Sequence, residues 1–322
     1  MFYVATLIAH PDRPAVTDAM GRMAARYLPH GRPIDWLAPG VAMDVAFLAD
    51  EVGDDRLDDA EKQAFVKDLA ADLRDMIGGE PVDVVIQPHD GRRKKLLVAD
   101  MDSTMIGQEC IDELADYAGF KSRVAAITER AMRGEIAFEP ALRERVALLK
   151  GLPAAAIESV IAGRIRLTPG GPTLVATMRA NGAYTCLVSG GFTAFTARLA
   201  AAIGFDEQHA NTLLTDADGR LTGEVADPVL GRDAKLTTLS TLRQRLRLGR
   251  DETLAVGDGA NDIPMIEAAG LGVAFHGKPA IREAAAACID YGDLTALLYA
   301  QGYRREEFVE RRTEDGRRTD DR

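Results

Sequence analysis

The chain of 322 residues is 47% hydrophobic and 28% charged, enough for about two or three domains with cores of their own. A net charge of −11 and a pI near 5.1 exclude the dense cationic surface that nucleic acid requires, so a small anionic substrate would need local positive charge. No run approaches the ~20 apolar residues of a membrane helix, and the opening MFYVATLIAHPD meets acids and prolines too early for a secretory signal, which predicts a cytoplasmic chain. Cys110, Cys186 and Cys288, widely spaced in apolar surroundings, suit reduced core thiols.

Residues 1–91 read as a small α+β domain. YVATLIA and VAMDVAFLA are strands, 13–27 and 58–76 carry helical spacing, and VDVVIQ closes the region, with one further strand hidden around 33–37. This element order is similar to that of the ACT family of small-molecule-sensing domains, which implies ligand sensing or a homodimer through this domain; a plain packing domain fits the same pattern.

LLVADMDSTMIG, residues 96–107, follows a basic patch and runs four apolar residues into two acids. The run predicts a buried parallel strand with Asp100 at its carboxyl end, where ligands gather in open α/β sheets. From 108 to 167 apolar residues recur at helical spacing through CIDELADYAG, VAAITERAM, FEPALRERVALLKGL and AAAIESVIAG, which predicts four helices that could act as a lid. Strands resume at YTCLVS, TLAVGD and GVAF, and the Asp-Gly within ANTLLTDADGRLTGEV predicts a hairpin. Residues 301–322 are densely charged and are expected to fray.

Three later segments repeat the polar signal. VSGGF places Ser189 and Gly190 before a helix, GRDAKL places Lys235 near the start of another, and VGDGAND ends a strand with Asp258, Asn261 and Asp262. Such clusters would converge on one crevice. Small residues at a helix N-terminus offer N–H groups to phosphate, a lysine adds charge, and carboxylates without His or Cys suit a hard cation such as Mg²⁺. Metal and phosphate together imply phosphoryl transfer, with Asp100 as nucleophile and Asp102 as general acid/base. Each residue also has a plainer reading: Ser189 and Asp262 as helix caps, Lys235 and Arg145 as surface cations, Glu109 as a first-turn acid.

DMDST, VSGGF, the downstream lysine and GDGAND resemble the four ordered motifs of the haloacid dehalogenase superfamily of phosphatases. DMDSTMIGQECIDELA, MRGEIAFEPALRERVALLKGL, LVSGGFTAFT and VGDGANDIPMIEAAGLGVAF carry the resemblance further, to the phosphoserine phosphatase family, over roughly residues 94–298. That resemblance implies Mg²⁺ on the carboxylates of Asp100 and Asp258 and the backbone carbonyl of Asp102. It also implies phosphate on Ser189, Gly190 and Lys235 with Asn261 nearby, Asp262 in support, and O-phospho-L-serine held by Glu109 and Arg145 against Met132 and Phe138.

The fold class expected is α/β. A Rossmann-like parallel sheet with helices on both faces (92–107 plus 168–300) carries a four-helix cap (108–167), behind an N-terminal α+β domain (1–91). Phosphoryl transfer from Asp100 to an alcohol such as homoserine, and an amino-acid-sensing regulator, stand as alternatives to hydrolysis.

Overall fold

The computed structural model describes residues 2–49, 59–133, 135–231 and 233–310, and within them all side chains except those of Asp59, Ala60 and Met132. The N-terminal domain runs β1 (Phe2–Ala9), α1 (Asp18–Tyr27), β2 (Asp35–Ala38), β3 (Ala42–Leu48), α2 (Asp59–Ile77) and β4 (Val82–Pro88). Its strands form an antiparallel sheet in the order β2-β3-β1-β4. The strand anticipated around 33–37 is β2. Helix α1 begins five positions later than 13, at Asp18, because Thr17 caps it by accepting the Met20 N–H.

The sheet is buried on both faces, and strand alternation sorts its side chains. Ala5, Leu7, Val45 and Phe47 pack under the helices with Leu73, whereas Ile8, Ala42 and Val85 face the other way and join Leu294, Leu297 and Tyr299 of the second half.

That second half begins with β5 (Leu96–Ala99), followed by the cap helices α3 (Cys110–Tyr117), α4 (Lys121–Met132), α5 (Phe138–Ala147) and α6 (Ala155–Arg164). Then come α7 (Gly171–Ala180), β6 (Tyr184–Phe192), α8 (Thr193–Ile203), β7 (Glu207–Asn211), the hairpin β8 (Leu213–Thr215) and β9 (Leu221–Val225), and α9 (Asp233–Leu246). The chain continues through β10 (Thr253–Gly257), α10 (Ile263–Ala268), β11 (Leu271–Phe275), α11 (Pro279–Ala284), β12 (Ala287–Ile289) and α12 (Ala296–Ala300).

The order β12-β11-β10-β5-β6-β7 is parallel throughout. Leu97 and Ala99 pack with Leu174, Met178 and Phe195 of α7 and α8. Leu96 and Val98 pack with Leu239, Met265 and Ile281 of α9, α10 and α11. Burial on both faces explains why this strand reads as an unbroken apolar run. The hairpin packs on the cap: Gly223 lies close to Lys150 and Ala147, and Arg143 pairs with Asp227 just beyond β9.

One expectation is corrected. Residues 301–310 do not fray. Gln301 is fully buried and accepts the Lys94 N–H at 2.9 Å, the Tyr303 ring lies under the Arg93 guanidinium, and Glu307 and Arg304 pair with Arg93 and Asp35. Tyr303, buried, and Phe308, packed against the core, outweigh the charge density, and Arg304, Arg305 and Glu307 find partners. The remainder of the predicted tail, 311–322, lies outside the described residues. Cys110, Cys186 and Cys288 are free thiols.

The two halves are joined by buried polar contacts as well as by apolar packing. Arg92 donates to Asp44 at 2.6 Å, beside a 2.7 Å bond from Thr6 within the N-terminal sheet, and Gln87 donates to the Ala300 carbonyl at 2.6 Å. Asp83 on β4 accepts the N–H groups of Asp290 (2.8 Å), Tyr291 (3.2 Å) and Gly292 (2.8 Å). Burial raises the Asp83 carboxyl from 3.8 to about 6 against the pull of these amides. The folded protein therefore holds this proton more tightly than the unfolded chain, and the carboxyl's contribution to stability falls as pH rises from about 4 to about 6. In urea denaturation, the stability difference between wild type and Asp83→Ala is expected to be ~1 kcal/mol smaller at pH 7 than at pH 5.

Candidate active site

The site sits at the carboxyl ends of β5, β6 and β10. Asp100 extends the β5 ladder by one bond, its N–H donating to the Val256 carbonyl at 3.0 Å, so its side chain leaves the sheet at the crevice between adjacent strands. The backbone then makes a wide turn over Met101–Met105 in which Ser103 adopts a left-handed conformation, φ 56°, sparsely populated for a residue with a Cβ. This turn brings Asp102 back beside Asp100. Asp102 Oδ1 accepts the Cys110 N–H, at the start of α3, at 2.8 Å, and Oδ2 accepts the Ser189 hydroxyl at 3.0 Å.

From β6, Ser189 Oγ in turn accepts the Gly191 N–H at 2.8 Å. A Cβ on Gly191 would stand 3.2 Å from the Asp102 carboxylate, and one on Gly190 would stand 3.3 Å from the Phe138 ring of the cap. The glycines let three segments approach one another. Phe138 thus forms part of the wall opposite the cradle.

Lys235, at the start of α9, is 4% exposed. Its ammonium lies 2.6 Å from Asp100 Oδ1 and also pairs with Asp262. Asp262, fully buried, accepts the Gly259 N–H through its other oxygen at 3.1 Å. Asp258 closes the group, and one oxygen from each of Asp100, Asp258 and Asp262 falls within 4.8 Å of the others. Asn261 stands exposed on the same loop, its Oδ1 against Gly259.

Electrostatically the cluster is overfull of carboxylates. Burial and the neighbouring Asp262 push the Asp100 carboxyl well above its ordinary range, with Lys235 pulling it back, and burial raises Asp102 as well. Burial works against the Lys235 charge, but Asp100 and Asp262 outweigh it and raise its pKa. An all-carboxylate donor set with surplus negative charge fits a hard divalent cation, which would lower all of these energies at once.

On the cap side, Glu109 Oε1 accepts the Ser103 hydroxyl at 2.9 Å. Burial first, then the nearby Asp102 and Asp258, push the Glu109 carboxyl up to about 7, opposed by the Ser103 bond and by Lys278. Arg145 on α5 is held by the Ala141 carbonyl and Thr128 Oγ1. Burial lowers its pKa, while the fields of Asp112 and Glu109 support its charge. The structure therefore brings Glu109, Arg145 and Phe138 to the cap side of the same crevice. The Met132 side chain lies outside the described residues.

Two residues of the site were not singled out from sequence. Lys278, after β11, donates its N–H to the Asp258 carbonyl at 2.9 Å and its ammonium to Asp258 Oδ2 at 3.0 Å. It stands at a strand's carboxyl end in FHGKPA, so the rule that found Asp100 would have found it. Asn211, buried at the end of β7, bonds Gly190 and Leu230; its strand is short and polar and gave no apolar pattern.

Comparison with known proteins agrees with this fold. Residues 97–267 match the family model of the haloacid dehalogenase-like hydrolases. A phosphoserine phosphatase of Streptomyces coelicolor is 39% identical over 305 residues, 94% of this chain and 71% of the relative. A crystal structure of a HAD-family hydrolase from Salmonella enterica serovar Typhi superposes with a TM-score of 0.76 at 29% identity, over 92% of this chain and 98% of that one. A phosphoserine phosphatase solved as a phospho-aspartyl intermediate analogue gives a TM-score of 0.59 at 41% identity, over 64% of this chain and 98% of that one. The chain belongs to the haloacid dehalogenase-like hydrolase family.

Binding of a hard divalent cation to the folded protein should raise its unfolding midpoint, by an amount equivalent to ~2.7 kcal/mol at one hundred times the Kd. Asp258→Asn, measured by the same thermal melts, is expected to lose most of that rise.

Proposed function

We propose that this chain is a Mg²⁺-dependent phosphatase that hydrolyses O-phospho-L-serine to L-serine and phosphate through an aspartyl-phosphate on Asp100, in the cytoplasm, as the last step of L-serine biosynthesis. The observation that carries the reading is Asp100 itself: a buried carboxylate beside the Lys235 ammonium at 2.6 Å, with a second carboxyl, Asp102, already hydrogen-bonded to the cradle serine. The names of the relatives support it, one a phosphoserine phosphatase and another solved as a phospho-aspartyl analogue.

Mg²⁺, held by the carboxylates of Asp100 and Asp258 and the Asp102 carbonyl, would supply neutralisation of the phosphoryl oxygens. Asp262 is read as orienting Lys235 rather than as a ligand, because its two oxygens are engaged by Lys235 and the Gly259 N–H. Ser189, Gly190 and Lys235 hold the phosphate, with Asn261 at its edge. Asp100 attacks phosphorus as the bond to the serine oxygen breaks, and protonated Asp102 gives its proton to the departing oxygen. A water then attacks the aspartyl-phosphate; Asp102 takes its proton, and the P–O bond to Asp100 breaks, restoring the carboxylate.

Substrate choice falls to the cap side. Glu109 receives the ammonium, Arg145 the carboxylate through its planar fork, and Met132 and Phe138 the methylene. Closure of the four cap helices excludes bulk water during transfer.

The decisive assay is phosphate release from phosphoserine, beside phosphothreonine and p-nitrophenyl phosphate, by wild type and Asp100→Asn with Mg²⁺. Turnover of phosphoserine that disappears in Asp100→Asn is expected, and a wild type inactive on phosphoserine would refute the reading. Glu109 ionises as pH rises through about 7, in a site shared with Asp102, Asp258 and Lys278, so its grip on the ammonium strengthens from pH 6 to 8. KM for phosphoserine should fall more steeply over that interval in wild type than in Glu109→Gln. Equal pH slopes in the two proteins would remove Glu109 from ammonium binding.

A further inference from the structure

The phosphate cradle interrupts its own sheet. β6 and β7 pair in register up to Val188 opposite His209, and pair again only at Phe192 opposite Asn211. Between these points Ser189, Gly190 and Gly191 on one strand face Ala210 alone on the other, a bulge that swings the cradle out toward Asp102. A bulge of this kind leaves backbone groups without ladder partners, and a buried carbonyl needs a donor. Asn211, 2% exposed, supplies it: Nδ2 donates to the Gly190 carbonyl at 2.9 Å.

The Gly190 carbonyl belongs to the peptide whose other end is the Gly191 N–H, and that N–H donates to Ser189 Oγ. Ser189 Oγ donates in turn to Asp102. A single chain of hydrogen bonds therefore runs from the Asn211 amide, through one peptide and one hydroxyl, to the Asp102 carboxylate. Each link fixes the orientation of the next. Because the Ser189 oxygen accepts from Gly191, its proton is directed away from the sheet and into the site.

The same carboxamide holds a second strip of backbone. Oδ1 accepts the Leu230 N–H at 2.7 Å, and Nδ2 is 3.3 Å from the Leu230 carbonyl. Leu230 precedes α9, which carries Lys235. Asn211 thus bridges the two backbone segments that bring Ser189 and Lys235 to the site. Only an amide has both a donor for two carbonyls and an acceptor for an N–H at this spacing; an aspartate would set a buried anion against both carbonyls.

We propose that Asn211 is a positioning residue for phosphate binding and turnover, acting through the Gly190–Gly191 peptide on Ser189. The inference rests on the phosphatase reading above, and its test separates the two. Wild type, Asn211→Asp, Asn211→Ser, Ser189→Ala and the double variant Asn211→Asp/Ser189→Ala are compared for kcat/KM on phosphoserine and for binding of inorganic phosphate by calorimetry. Each Asn211 variant is expected to lose at least tenfold in both quantities. In the Ser189→Ala background, Asn211→Asp should cost at most a third of the factor it costs in wild type, because the hydroxyl it orients is already gone and only its hold on the Leu230 segment remains to be lost.

Factors that multiply, or Asn211 variants that bind phosphate like wild type, would overturn the inference and leave Asn211 a packing residue. Asn211→Ser, small and uncharged, provides the comparison if the aspartate variant does not fold. A wild type that binds phosphate but does not cleave phosphoserine would sink the substrate reading, while the phosphate-binding cycle would still decide the role of Asn211.

Discussion

A fully buried lysine between two buried aspartates is the constraint on which the rest of this structure depends. Lys235 pairs with Asp100 and Asp262 inside a sheet crevice, where none of the three charges would be tolerated alone and removal of one partner would leave an uncompensated ion. The arrangement fixes α9 against the ends of β5 and β10. It also sets the electrostatics of the site, because the ammonium holds the Asp100 carboxyl in place and partly offsets the burial and the Asp262 charge that push its pKa up. The surplus carboxylates around it, Asp258 among them, form a buried donor set that could hold a divalent cation.

Close approach follows from small residues at the points where segments meet. Gly257 has no room for a Cβ beside Asp262, Gly191 has little beside Asp102, and Gly190 sits under Phe138. The bulge that carries Ser189 outward is the same device at the level of the backbone: the ladder is given up locally so that a hydroxyl and amide groups can face a ligand, and a side chain on the neighbouring strand replaces the lost bond. Rigidity at the core side contrasts with the cap, which meets the site through Glu109, Arg145 and Phe138 and is braced from below by the β8–β9 hairpin.

The N-terminal domain is not a loosely tethered accessory. One face of its sheet shares an apolar core with α12, and its edge strand is clamped by Asp83 onto the backbone after β12. Arg92 and Asp44 carry a buried ion pair across the same boundary.

The ordered motifs were legible in the chain alone: Asp100 and Asp102 after one apolar run, Ser189 and Gly190 after another, Asp258 and Asp262 after a third, because strand ends and the polar residues that follow them are contiguous in sequence. The apolar strands and amphipathic helices of both halves were legible as well, since buried strands and amphipathic helices have different periods, whereas the short strands β7 and β12 were not. The tertiary structure alone decided the rest. Asn211 and Lys278 matter only because β7 and β11 lie beside the strands carrying the motifs, and polar residues on short strands leave no periodic trace. Residues 301–310 look like solvated tail in composition and are ordered by partners hundreds of positions away, Arg93 and Asp35 among them. Periodicity reports local burial, whereas the partners of a buried polar group are chosen by strand order and domain docking, which only the folded chain defines.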